Sequence, residues 1–106
     1  MDSIETSVLE RFKELLTQRV SVIQVIVFGS RARGDADRDS DLDVVVVLPD
    51  VCNDAERDYV SECAWEAGFA SGMVIVPLVF TRREWEVGPE RHSLLAQAVR
   101  AEGVPI

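Results

Sequence analysis

Two acidic residues that could take part in metal binding or catalysis, Asp41 and Asp43, lie at the start of an apolar run that includes four consecutive valines. In an extended segment, alternate side chains lie on the same face, so the two carboxylates are expected to project side by side. Mg²⁺ is typically bound by a few carboxylate oxygens together with phosphate groups of a substrate. The pair therefore predicts a site for a magnesium ion that is carried by a phosphorylated ligand.

A second group of residues lies just upstream, where Gly29 and Ser30 follow an apolar, β-branched segment. A glycine at this point lets a phosphate approach the backbone, and the serine hydroxyl and nearby N–H groups can bind phosphate oxygens. Arg31 and Arg33 add guanidinium groups, which match phosphate geometry. Together with the aspartate pair, this segment predicts a binding site for a nucleoside triphosphate.

Each of these features taken alone has a second interpretation. Asp-x-Asp is common in turns, where the side chain caps the backbone, and a loop rich in Arg and Asp usually forms weak, solvated ion pairs. The two arginines could pair with Asp35, Asp37 or Asp39 instead of a phosphate. The specific signal is the combination of an apolar strand, Gly-Ser, a ten-residue spacer (31 to 40) and Asp-x-Asp leading a second apolar strand.

Hydrophobic periodicity and turn residues predict the elements that position these groups. The predicted helices are 3–19, one beginning after Asn53, a short one after Thr81 and about 91–102; the predicted strands are 21–28, 42–48 and 73–80. This order predicts an α/β (α+β) fold with a small mixed or antiparallel three-stranded sheet and helices packed on it.

The predicted arrangement of the sheet follows from short connections. Only twelve residues separate the first strand from Asp41, too few for a crossover helix, so the first two strands should be antiparallel neighbours. Helices are then expected on one face of the sheet. Pro77 cannot donate a ladder hydrogen bond, which favours an edge position or a bulge for the third strand.

Composition limits the classes of function. With 106 residues, 47% of them hydrophobic, the chain fits one domain, 1–106. Its formal net charge of −8 argues against direct nucleic-acid binding. Since no apolar stretch is long enough to cross a membrane, we expect a cytoplasmic protein. Cys52, Cys63 and His92 match no zinc-binding spacing, and we expect His92 on the surface.

The segments Val27–Ser30, 31–34 and Ser40–Val44 resemble the signature of the minimal nucleotidyltransferases in the DNA polymerase β superfamily. The resemblance implies the nucleotidyltransferase fold, a bound Mg²⁺ and a nucleoside triphosphate, with ATP expected. It also implies transfer of a nucleoside monophosphate to a hydroxyl acceptor with release of pyrophosphate. Small members are commonly encoded beside a HEPN-domain toxin, which the nucleotidyltransferase neutralises as antitoxin by adenylylating a tyrosine, by binding, or both.

The resemblance also assigns roles to individual residues. Gly29 and Ser30 would bind the triphosphate, with Arg31 and Arg33 as further nucleotide-binding residues. Asp41 and Asp43 would be the catalytic, metal-binding carboxylates, and two metals could flank an in-line displacement.

The chain departs from the family pattern at one point. Active members of the superfamily usually carry a third carboxylate on a later strand, opposite the Asp pair, but 73–80 contains no acidic residue. Glu84, Glu86 or Asp50 would have to reach the site from another element. Two hypotheses follow: an enzyme that acts on a partner protein, or a catalytically weak or inactive nucleotide-binding module that neutralises its partner by binding. A homodimer that covers the edge strand is a further expectation.

Three aromatic residues attract separate predictions. Trp65 and Phe69, four apart on a predicted helix, should face the core, although with Trp85 they could instead form a base-stacking pocket. Trp85 could also be partly exposed in a partner interface.

Overall fold

The computed structural model describes residues 1–34, 40–88 and 93–106. Its helices are α1 (Ser3–Thr17), α2 (Ser30–Arg33), α3 (Asp54–Phe69), α4 (Arg82–Glu86) and α5 (Leu94–Glu102). Its strands are β1 (Gln24–Phe28), β2 (Leu42–Leu48), β3 (Ile75–Thr81) and β4 (Val104–Pro105). The predicted mixed α/β fold is confirmed. His92 lies outside the described residues.

The strands form one mixed sheet in the order β3-β2-β1-β4. As predicted, β1 and β2 are antiparallel, and their register places Phe28 opposite Asp43. β3 runs parallel to β2, with Val76 beside Asp43. The sheet has a fourth strand in addition to the three predicted, because the two residues of β4, beyond the last predicted helix, pair with β1. This arrangement brings the end of β1 and the beginnings of β2 and β3 to the same end of the sheet.

Helices cover both faces of the sheet, so the prediction of helices on a single face is wrong. Val44 and Val46 pack in a core with α1 and α3, whereas Val45 and Val47 pack in a second core with α4 and α5. The four consecutive valines are all buried because alternate side chains enter opposite cores. An uninterrupted apolar strand of this kind is typical of a sheet covered on both sides.

Among the described residues β3 is an edge strand, which confirms the edge prediction made from Pro77. The carbonyl oxygen of Val74 accepts a hydrogen bond from the Leu42 N–H at 2.8 Å. Since alternate residues of a strand bond to the same neighbour, residues 76, 78 and 80 are directed towards β2 and Pro77 is directed outward. The proline therefore removes a donor from the outer edge without breaking the ladder.

Side chains cap the beginnings of two helices. The Asp2 carboxylate caps α1 and accepts a hydrogen bond from Glu5 N–H at 2.8 Å. Thr81 and Glu84 form a capping box at the start of α4. No helix in the described ranges has both the length and the apolar character needed to cross a membrane.

The three aromatic residues occupy positions opposite to those predicted. Trp65 and Phe69 are each 70% exposed, because the buried stripe of α3 runs through Val60, Ala64 and Ala67 and leaves both rings on its flank. Trp85 is buried in the second core, where its ring lies 4.7 Å beneath the Arg100 guanidinium. A role for Trp85 in an exposed partner interface or a shared stacking pocket is thus excluded.

Candidate nucleotide and metal site

The two predicted carboxylates lie at the beginning of β2. Asp41 is exposed, and Asp43 is half-buried between Phe28 of β1 and Val76 of β3. Burial raises the pKa of the Asp43 carboxyl above its ordinary value, and the negative charge of Asp41 raises the pKa further. A partly desolvated pair of like charges is stabilised by a cation, so the arrangement fits a hard divalent metal ion.

Gly29 brings the predicted phosphate-binding turn into contact with this pair. Its backbone has φ 78° and ψ −160°, a region that is almost restricted to glycine. A Cβ at this position would lie 2.7 Å from the Oδ2 atom of Asp43. Ser30 follows directly as the first residue of α2. The structure therefore places the Gly-Ser turn against the carboxylate of Asp43, and both halves of the predicted site are adjacent.

Arg31 is buried beside the site and contacts Glu5 and Ser40. Its side chain is 9% exposed, its Nε atom donates to the Ser40 carbonyl oxygen at 2.8 Å, and its guanidinium pairs with Glu5 at 3.4 Å. These contacts tie α1 and α2 to the residue that precedes Asp41. Arg31 thus fixes the position of the carboxylate pair, and a direct contact with phosphate stays a prediction.

Arg33 lies on the outer side of α2. Its guanidinium pairs with Glu102 of α5 at 3.2 Å, and both side chains are close to half exposed. An exposed pair of this kind contributes little to stability and can be exchanged for another anion. A phosphate contact for Arg33 also stays a prediction, and Asp35, Asp37 and Asp39 lie outside the described residues.

The position of a third carboxylate is occupied by an apolar side chain. Val76 is the β3 residue paired with Asp43, and paired residues of neighbouring strands direct their side chains to the same face. In the ranges 1–34, 40–88 and 93–106, no group of three or more His, Cys, Asp or Glu residues could hold a metal ion. Within the described residues, the candidate metal ligands at this site are therefore the two carboxylates of Asp41 and Asp43.

The proposed substitutes for the third acid lie at the opposite end of the sheet. Thr81 pairs with Leu48, five residues along β3 from Val76, which corresponds to about 17 Å. Glu84 follows there and accepts a hydrogen bond from the Thr81 N–H at 2.9 Å. Nearby, Asp50 accepts a hydrogen bond from the Arg83 N–H at 2.7 Å. The alternative in which Glu84, Glu86 or Asp50 completes the site is wrong.

A small polar pocket adjoins the exposed carboxylate. It has a volume of about 130 Å³ and lies between the segment before β2 and the loop that leads into β3. Its lining residues are Arg31, Ser40, Asp41 and 71–74. The pocket gives Asp41 a partly enclosed approach between these two segments.

One positioning residue, Glu5, was missed at the sequence level. It occupies the same helical stripe as Leu9, Phe12 and Leu16 and is 6% exposed. A charged residue on an apolar stripe is a usable signal, because a buried charge needs a partner. Arg31 is that partner, but only the three-dimensional fold brings Arg31 and Glu5 together.

Comparison with known proteins assigns the family. The family model described as "Nucleotidyltransferase domain" matches residues 9–76, a range that contains the Gly-Ser turn, the aspartate pair and Val76. The chain belongs to this family. The resemblance to minimal nucleotidyltransferases is thereby confirmed.

Individual relatives show the same relationship. A Methanocaldococcus jannaschii protein named as a candidate protein adenylyltransferase is 30% identical over 59 residues, which cover 56% of this chain and 60% of the relative. The match therefore spans less than two thirds of that relative's length.

Solved structures with the same fold include toxin-antitoxin complexes. A toxin-antitoxin structure with AMP-PNP has a TM-score of 0.62 at 21% identity, covering 91% of this chain and 69% of the solved one. The complex of a tri-AMPylated Shewanella oneidensis HEPN toxin with its MNT antitoxin has a TM-score of 0.56 at 17% identity, covering 96% and 70%. At these identities the likeness shows a shared fold.

Proposed function

We propose that this chain binds ATP with Mg²⁺ and transfers AMP to a hydroxyl group of a partner protein, as the antitoxin of a HEPN-domain toxin. The observation that supports the proposal most directly is the close approach of Gly29 to the carboxylate of Asp43, where an added Cβ would lie 2.7 Å from Oδ2. A phosphate chain and a metal ion need these two groups side by side. The protein adenylyltransferase name of one relative and the AMPylated toxin beside one structural neighbour agree with it.

The position of each residue suggests its role in metal binding, phosphate binding or positioning. Asp41 and Asp43 would hold the metal, and the Gly29–Ser30 turn would receive phosphate oxygens at the same edge of the sheet. Bound Mg²⁺ would lower the pKa of the acceptor hydroxyl and stabilise the charge of the leaving pyrophosphate. Arg31 contributes by fixing the segment before Asp41 through its contacts with Glu5 and Ser40.

The transfer also requires a proton acceptor. The acceptor oxygen attacks the α-phosphorus, the bond between that phosphorus and the pyrophosphate oxygen breaks, and the hydroxyl proton must pass to a base. A carboxylate on β3 beside Asp43 would be well placed for this step, and Val76 has no proton-accepting group. This observation favours a second candidate function, a nucleotide-binding module that neutralises the toxin by occupying it.

A labelling experiment distinguishes the two functions. This chain, Mg²⁺ and ATP labelled at the α-phosphate are incubated with a HEPN-domain protein from the same genome, the partner class that the proposal names. Label on that partner, lost in the Asp43→Asn variant and kept in the Asp58→Asn variant, supports the transferase. Asp58 is a suitable control because it is an exposed carboxylate on α3, outside the site. Absence of label from a stable complex supports the binding module.

A gain-of-function variant sharpens the distinction. Val76→Asp introduces a carboxylate beside Asp43, and Val87→Asp places the same substitution at a 70% exposed position after α4. If Val76→Asp labels the partner faster than both the natural chain and Val87→Asp, the missing acid limits turnover. If the natural chain already labels the partner and Val76→Asp brings no increase, the site is complete without that carboxylate.

A further inference from the structure

An apolar groove lies between α3 and the loop that leads into β3. Trp65 and Phe69 form one wall, with ring centroids 5.5 Å apart and planes tilted by 45°. Met73, Val74 and Pro77 line the opposite side, and the groove has a volume of about 460 Å³. Two aromatic side chains that are each 70% exposed form an apolar surface of a kind that soluble proteins usually cover with a binding partner.

The aromatic groove is continuous with the candidate nucleotide and metal site. Gly72, Met73 and Val74 line the groove on one side and the small polar pocket that contains Asp41 on the other. A segment that fills the groove would therefore reach the edge of the sheet where the carboxylates lie. No function assigned so far uses this surface.

Charge distinguishes between the possible occupants. Asp58, Glu62 and Glu66 are exposed along α3, and the two glutamates flank Trp65 in the sequence. Arg11 approaches Glu66 at 3.8 Å, and both side chains are exposed. A second copy of this chain would bring the same carboxylates face to face, and a nucleic acid would be repelled. The groove therefore suits an apolar segment that carries Lys or Arg residues.

The backbone of β3 favours a helical occupant. An extended peptide would bind by adding a strand to the outer edge of β3 and pairing with its N–H and C=O groups. Pro77 is directed to that edge and has no N–H to donate, which interrupts the pairing in the middle of the strand. A helix needs no backbone partners and binds by inserting side chains into an apolar groove.

We propose that the aromatic groove docks a basic, amphipathic helix of the acceptor protein and thereby presents the acceptor hydroxyl to Asp41 and Asp43. The proposal rests on the proposed function for the identity of the partner. It adds the surface that selects the partner.

The first test removes the aromatic wall. Trp65→Ser/Phe69→Ser is compared with Leu94→Ser, which removes an 85% exposed apolar side chain from α5. Affinity for the HEPN-domain partner used in the labelling experiment is measured by titration calorimetry, with folding checked by circular dichroism. We expect the double variant to bind at least about 30-fold more weakly, as for central aromatic residues of an interface, and Leu94→Ser to bind as the natural chain does. Equal affinities would overturn the proposal.

A second test addresses charge and the alternative occupant. Glu62→Lys/Glu66→Lys should weaken partner binding several-fold, whereas Glu10→Lys, an exposed site on α1, should not. Sedimentation velocity of the isolated protein tests self-association. A dimer that dissociates in the Trp65→Ser/Phe69→Ser variant would assign the groove to a second copy and overturn the proposal.

Failure of the docking proposal can be separated from failure of the proposed function. The groove variants leave Asp41, Asp43 and the Gly-Ser turn unchanged, so they should bind Mg²⁺ and ATP as the natural chain does. Loss of partner binding with nucleotide binding retained supports the groove. Absence of nucleotide binding in every variant, including the natural chain, would refute the proposed function and leave the groove result to be judged by partner affinity alone.

Discussion

Substitution of Gly29 by alanine tests the geometry of the candidate site most stringently. The backbone conformation of Gly29, φ 78° and ψ −160°, costs a residue with a side chain about 1–3 kcal/mol. The added Cβ would also lie 2.7 Å from Asp43 Oδ2, whereas ordinary contacts begin at 3.4 Å, so the carboxylate must move by about 0.7 Å (3.4 − 2.7). We expect Gly29→Ala to lose roughly 2 kcal/mol of stability, about half from the backbone and about half from displacement of the Asp43 carboxylate, which is the candidate metal ligand.

Gly34→Ala is the matched control. Gly34 has φ 82° and ψ 11°, an ordinary left-handed conformation, and a Cβ there would meet no atom within 4 Å. Its expected cost is about 1 kcal/mol, from the backbone alone. For a domain of this size, 1 kcal/mol corresponds to about 4–8 °C in Tm. Thermal unfolding should therefore show a drop of about 10 °C for Gly29→Ala and of about 5 °C for Gly34→Ala.

A double-mutant cycle isolates the contact with the carboxylate. Gly29→Ala is made in the Asp43→Ala background, where the clashing oxygen is absent, and its cost should fall towards the backbone contribution. Calorimetry should show weakened binding of Mg²⁺ and ATP for Gly29→Ala and unchanged binding for Gly34→Ala. The reasoning is refuted if Gly29→Ala costs the same in both backgrounds or binds the nucleotide as the natural chain does.

Three further predictions follow from named charges. The folded protein raises the pKa of Asp43, so ionisation of this group opposes folding above its ordinary pKa of 3.8. Asp43→Asn should therefore unfold at higher denaturant concentration than the natural chain at pH 7, with the difference shrinking towards pH 3.8. The pKa of Glu84 is lower in the folded protein than its ordinary value of 4.5, chiefly because its carboxylate accepts a hydrogen bond from the Thr81 N–H. Ionised Glu84 therefore stabilises the folded protein above pH 4.5, and this stabilisation is lost as the pH falls through the pKa of Glu84 in the folded protein. Denaturation of Glu84→Gln should then approach that of the natural chain in acid, and a constant difference down to pH 2 would contradict the assignment. Arg31→Met leaves Glu5 buried without its partner and should cost about 3 kcal/mol, of which Glu5→Gln in the same chain should restore part; additive costs would show that the two are not coupled.

The proximity of the candidate site residues could be predicted from the sequence because these residues lie close together in the chain. Gly29 and Ser30 directly follow β1, Asp41 and Asp43 lie at the start of β2, and the short connection makes these strands antiparallel neighbours. Periodicity of two and the preference of glycine for unusual backbone angles suffice for this step. The absence of an acid from the third strand could be noticed in the same way, and the structure identifies Val76 as the residue in its place.

Long-range packing accounts for what the sequence did not reveal. The buried partner of Arg31 is Glu5, 26 residues earlier (31 − 5), and nothing local links the two. The helices occupy both faces of the sheet because the α5 segment crosses to the side of Val45 and Val47, which a linear pattern cannot indicate. Trp65 and Phe69 were expected in the core because large aromatic residues are usually buried. In the structure the smaller residues of α3 pack against the sheet and α1 instead, which leaves both rings exposed.

Calorimetric titration of ATP into the full chain, with and without Mg²⁺, tests the central claim most directly. The account predicts saturable binding that requires Mg²⁺, is lost in Asp43→Asn and Asp41→Asn, and is retained in Asp58→Asn. Binding that is independent of Mg²⁺ and unaffected by either substitution at the start of β2 would contradict the assignment of this edge of the sheet as the metal and nucleotide site.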